Sequence, residues 1–192
     1  MEKAQAASVA VGGIAKNSAS GEDVFARGFY KVTCLDADGN LKWEDEIENL
    51  VTNVGKVDLL DKYLAGSAYT AAFYLGLVDG GSAPTYNAAD TMASHAGWTE
   101  STAYSNGTRV APTWNGATGT GGGAGTAGTG SKASNAMSFN INATATIAGT
   151  FLVTNSTKGG TTGTLYSAGS FTGGNKSVAN GDTLNVTYTA QA

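Results

Sequence analysis

Cysteine is almost absent from this chain. Cys34 stands alone, so no intramolecular disulfide can form and a four-cysteine metal site is excluded. A single cysteine suits synthesis in a reducing compartment. Histidine is equally scarce, His95 being the one copy. Charge is thin as well: 14% of residues against roughly 25% in an average globular domain. The eleven lysines and arginines are scattered singly, whereas a nucleic-acid binder needs clustered cations to displace phosphate counterions. No apolar run reaches the roughly 18 residues of a membrane-spanning helix. Nucleic acid and membrane are therefore not expected partners.

What replaces charge is Gly, Ala, Thr, Ser and Asn, a composition that gives β structure with many turns. At 192 residues the chain suits one domain with a sizeable core. The first residues, MEKAQAASVAVGGIAKNSAS, make a poor signal-peptide core, lacking Leu and Phe and containing Gly12 and Gly13. Residues 1–24 read as a flexible or extended arm, and 25–192 as a single β-sandwich domain.

Patterning supports that fold class. Gly28–Leu35 is rich in β-branched and aromatic residues. An Asp-Gly turn signal follows in 36–40, and Leu41, Trp43 and Ile47 then alternate with Lys42, Glu44, Glu46 and Glu48. This predicts a β-hairpin with one wet, acidic face. The period changes at 53: Val54, Val57, Leu60, Tyr63 and Leu64 form one apolar stripe, with Asn53 as cap and Gly66 as stop. The expectation is one short amphipathic helix over about 53–65 that covers one opening or face of the sheet. Tyr69–Val78 is a nearly continuous apolar run, the candidate central strand. A helical turn is expected near 90–95, and an edge strand over 109–114, where Pro112 removes a donor. Residues 115–131 are glycine-rich and read as a mobile loop outside the core. The last third alternates as short strands at 137–141, 147–153, 165–171, 178 and 184–188. The whole reads as an antiparallel β-sandwich or jelly roll.

Candidate chemistry is sparse. His95 with Asp90 and a serine could form a nucleophilic triad, but no Gly-x-Ser-x-Gly turn frames a serine, and a lone surface-loop histidine is the plainer reading. Asp36, Asp38 and Asn40 have calcium-ligand spacing. However, Leu41 and Ile47 occupy the places where an EF-hand requires Gly and Glu, so a hairpin turn is favoured. Glu44 and Glu46 share a strand face and could act as a sugar-cleaving pair, though exposed strand carboxylates more often serve solubility, edge protection or contact with a basic partner. Gly121–Gly130 is followed by neither a helix nor Gly-Lys-Ser/Thr, so it binds no nucleotide phosphate. The Asn-x-Ser/Thr sites at 106, 142, 155, 175 and 185 follow from composition. No catalytic residue, cofactor or metal is expected. What remains is surface: Trp98, Trp114, Glu44 and Glu46 are the interface candidates, with Trp43 assigned to core packing.

Two stretches carry a resemblance. LKWEDEIENLVTNVGKVDLLDKYLAGSAYTAAFYLGLVDG (41–80) is similar to a segment that recurs in small structural proteins of tailed-phage particles. AGTFLVTNSTKGGTTGTLYSAGSF (148–171) and SVANGDTLNVTYT (177–189) resemble the final strands of such proteins. Together they cover between a third and a half of the chain, and the tract 115–131 has no counterpart in the pattern. The resemblance implies a non-enzymatic virion protein, nearest to capsid decoration or cement proteins. These are sandwich or jelly-roll modules that bind the major capsid protein as dimers or trimers on the outer shell, after synthesis in the host bacterial cytoplasm. A tail, fibre or receptor-binding component is the second reading, and a glycan-acting hydrolase a third of another class.

Overall fold

The computed structural model describes residues 26–64, 72–120 and 129–192. The N-terminal arm expected at 1–24, the helix stop at Gly66 and the centre of the glycine tract lie outside them. Among the described residues the chain forms twelve strands and one helix, in the order β1 (Arg27–Leu35), β2 (Leu41–Glu48), β3 (Leu50–Val51), α1 (Asn53–Leu64), β4 (Tyr74–Asp79), β5 (Glu100–Ser101), β6 (Thr118–Thr120), β7 (Thr129–Ala133), β8 (Met137–Asn140), β9 (Ala145–Val153), β10 (Leu165–Ser170), β11 (Lys176–Val178) and β12 (Thr183–Gln191).

The strands make two antiparallel sheets, β2-β1-β12-β7-β6 with β8 also on β12, and β3-β10-β9-β4-β5 with β11 also on β9. Their facing sides share one core: Tyr30, Val32, Ile47, Phe139, Val186 and Tyr188 of the first sheet meet Leu75, Leu77, Ile147, Leu152 and Tyr166 of the second. This is the predicted β-sandwich. The predicted hairpin is β1–β2, with Lys31 opposite Glu46 and Thr33 opposite Glu44. Its turn is closed by Asp36, whose Oδ1 accepts the amides of Asp38 and Asn40 at 3.0 and 2.8 Å, while Gly39 takes φ +84°. Asp36 therefore spends its carboxylate on backbone amides, as the hairpin-turn reading requires.

A second core explains why β4 and β9 read as unbroken apolar runs. The outer face of the second sheet, with Val78, Ala148, Phe151, Val153 and Leu165, is covered by Met92 and Trp98 from the segment after β4. Both faces of β4 and β9 are thus dry. In place of the expected helical turn, Thr91 and Ser94 form a bridge. The expected strand at 109–114 is instead two single bridges, Leu75 to Val110 and Trp114 to Ser134. The ends of the glycine tract also differ from a plain loop, since Thr118–Thr120 pairs with Thr129–Ser131. The tract's outer strand has no buried residue, in keeping with its exclusion from the core.

One end of the sandwich is closed by charge. Lys42 Nζ lies 2.5 Å from Asp182 Oδ2, which also accepts the Ala179 amide at 2.8 Å. Burial pushes the Asp182 carboxyl up, but the bonds from Lys42 and Ala179 outweigh it and hold the group below the ordinary aspartate value of 3.8. A depressed folded-state value stabilises the fold above the unfolded value and loses that contribution as pH falls through the folded one. Acidification below about pH 4 is therefore expected to lower the urea midpoint of the natural chain more than that of Asp182→Asn. Equal losses in the two proteins would refute this. Beside this pair, burial and then the Asp182 charge push the Cys34 thiol up to about 11, so it stays protonated and inert at neutral pH.

Candidate interaction surface

The helix departs most from expectation. Its N-terminus is capped by Thr52 rather than Asn53: Thr52 Oγ1 accepts the Gly55 amide at 3.1 Å and donates to the Leu165 carbonyl. Gly55 is the helix residue pressed against the body. A Cβ there would sit 2.5 Å from the Tyr166 carbonyl oxygen, so only glycine permits the approach. With Gly55 facing β10, Asp58 and Lys62 on the same side are only half-exposed. Of the predicted apolar stripe, Val54 is half-buried and the other four residues are turned outward. Val57 is 57% exposed, Leu60 56%, Tyr63 83% and Leu64 72%. The helix does not cover a sheet face with its stripe; it offers that stripe to solvent.

Beneath the helix runs an apolar groove of about 440 Å³, lined by Leu59, Phe73, Trp114, Leu152, Tyr166 and Tyr188, with Lys62 and Lys132 also on its walls. Its aromatics meet edge to face: Phe73 to Tyr166 at 5.5 Å and Trp114 to Tyr188 at 6.2 Å between ring centroids. Behind it, Tyr188 accepts a hydrogen bond from Asn49 Nδ2 at 3.1 Å and Tyr30 pairs with Ser167 Oγ at 2.5 Å, which satisfies the deep hydroxyls. Burial, reinforced by Tyr166, raises the Tyr188 phenol well above its usual value. The phenols are neutral at neutral pH, and the groove has an aromatic floor with Asp58, Lys62 and Lys132 on its walls.

The four interface candidates fall in different places. Trp114 is half-buried and lines the groove. Trp98 is a correction: it is 4% exposed, packs on Phe151 at 5.1 Å and donates Nε1 to Asp90 at 3.3 Å. It anchors the second core, because an indole beside a strand-covering loop finds more apolar contact inward than at the surface. Glu44 and Glu46 are exposed on β2 and, with Lys31, border a shallow depression of about 310 Å³. Protection of this edge comes from a covering segment rather than from charge alone. Thr172 donates its hydroxyl to the Glu46 carbonyl at 2.6 Å, Gly173 donates its amide to Asp45 at 3.0 Å, and Lys176 pairs with Asp45 at 2.9 Å. Trp43 packs on Phe171 at 5.4 Å, in keeping with its assignment to the core.

His95 and Asp90 are not brought together as a catalytic pair. The imidazole stacks on Trp98 at 4.0 Å with Nδ1 3.0 Å from the Trp98 carbonyl oxygen, while Asp90 accepts from Trp98 and from the Asn87 amide. Among the described residues no cluster of three or more His, Cys, Asp or Glu is placed to hold a metal ion, and no helix is long and apolar enough to cross a membrane. The largest feature missed by sequence reasoning is the buried pair Arg109–Glu100, whose partners lie nine residues apart and share no periodic signal. Phe73, Tyr166 and Tyr188 were visible only as core aromatics; nothing local marks them as the lining of one groove. Compared with known protein families, curated proteins and solved structures, the chain matches none.

Proposed function

We propose that this protein is a non-enzymatic structural component of a tailed-phage particle, a decoration or cement protein that binds the major capsid protein on the outside of the shell. The observation that carries this reading is the placement of the segment that resembles phage virion proteins. Residues 41–80 include β2, β3, α1 and β4, and this segment presents Val57, Leu59, Leu60, Tyr63 and Leu64 to solvent on one short helix. Contiguous exposed apolar side chains on one helix are the mark of a protein-contact surface. The exposed Glu44 and Glu46 add a face suited to a basic partner surface, and suit the outside of a shell better than its DNA-packed interior. Each copy need contribute only a few kcal/mol across a joint between shell subunits, because many copies act together.

The test is copy number. In purified particles of the phage that encodes this chain, quantitative mass spectrometry is expected to find the protein in a simple ratio to the major shell protein. A handful of copies per particle would move it to the tail, and complete absence would overturn the virion reading.

A further inference from the structure

The outward face of α1 has the pattern of a short parallel helix pair. Gly55 and Lys62, seven residues apart, face the body, which places Val57, Leu60 and Leu64 on the opposite, outward seam. Written as a heptad, Val57 and Leu64 occupy a positions and Leu60 a d position; Lys56 falls at g and Asp61 at the following e. Both charges are exposed. In a parallel pair a g residue meets the e residue five places on in the other helix. Lys56 would therefore face Asp61 of the partner subunit, and the reverse pair forms by symmetry. In an antiparallel pair g positions flank g and e positions flank e, so Lys56 would not face Asp61 of the partner subunit and that attraction would be lost. β-branched Val at a with Leu at d also favours two strands.

We propose that the outward face of α1 binds a second copy of this chain, two α1 helices packing parallel about a two-fold axis along the seam. This rests on the reading that the protein works by contact with protein surfaces, and it names the occupant of one such surface, leaving the acidic β2 face for the shell. The seam is short. A helix pair alone lies at the small end of specific interfaces, below roughly 1,200 Å². Self-association is therefore concentration-dependent in solution and is reinforced where copies are held side by side on a shell.

The experiment is sedimentation of the purified full chain over a concentration series, with no particle present, so that its failure and failure of the virion reading are separable. The natural chain is expected to shift from one to two copies as concentration rises. Leu60→Asp, at a solvent-facing position that leaves the fold intact by circular dichroism, abolishes the shift. Lys56→Glu weakens association about tenfold by opposing like charges at both symmetric contacts, and Lys56→Glu with Asp61→Lys restores it. Leu64→Cys, oxidised mildly, gives an interchain disulfide, because a positions meet their equivalents only in a parallel pair; Cys34 is buried and does not compete. A chain that stays monomeric throughout, association that ignores Leu60→Asp, or a charge swap that fails to restore it would each overturn the proposal.

Discussion

Replacing Arg109 with methionine is expected to cost about 3–5 kcal/mol of folding stability, enough to remove a large part of the total for a domain of this size. Arg109 is 1% exposed. Nε and Nη2 donate to the two Glu100 oxygens at 3.0 and 2.7 Å, Nη1 to the Asn155 carbonyl at 3.0 Å, and Nη2 also to the Gly160 carbonyl at 2.7 Å. Its guanidinium carbon lies 5.1 Å from the centre of the Phe151 ring. One side chain thereby ties the segment after β5 to the loop between β9 and β10. Methionine fills similar volume but leaves a carboxylate with a side chain 6% exposed, along with two carbonyls, short of donors. Lysine is expected to rescue little, since one ammonium cannot reproduce a bidentate fork and two further bonds. Lys176→Met is the comparison: that pair is partly solvated, with its lysine side chain 21% exposed, and its loss should cost no more than about 1 kcal/mol. Equilibrium urea unfolding of the three variants measures all of this. Equal losses at Arg109 and Lys176 would sink the argument.

The same residue shows where sequence reading stops. Alternation along β1, β2 and β12 depends on one face being wet and one dry, a local property, and those strands stood where periodicity put them. The position of α1 was equally legible. Its orientation was not, because an apolar stripe has the same spacing whether it faces a core or a partner. The deciding facts are the approach of Gly55 to the Tyr166 backbone and the hydrogen bond from the Thr52 hydroxyl to the Leu165 carbonyl, contacts that join residues more than a hundred positions apart. Trp98 is ambiguous in the sequence for a related reason: an aromatic after a polar loop signals an anchor, but not whether the anchor is set in the protein itself or in another molecule. A binding surface carries no fixed catalytic spacing, so residue chemistry alone assigns no role here.

The second core should be the other point of greatest sensitivity. Phe151→Ala is expected to cost about 3–5 kcal/mol, the range for emptying a buried aromatic site. Its ring packs against Trp98 on one side and lies directly over Gly76 of the neighbouring strand on the other; a Cβ at 76 would come 2.3 Å from the Phe151 ring. Gly76→Ala alone is therefore also destabilising, since the ring must leave its rotamer in a packed interior. The two changes occupy one space. Alanine at 76 partly fills what alanine at 151 vacates, so the double variant should be more stable than the sum of the single losses predicts, by about 1 kcal/mol or more. Urea midpoints of the four proteins give that coupling energy. A value near zero would mean that the ring does not rest on Gly76, and that the strand needs glycine there for another reason. A clear favourable coupling would establish that β4 keeps a glycine at 76 to leave room for the Phe151 ring, which packs against Trp98 and Arg109 in the second core.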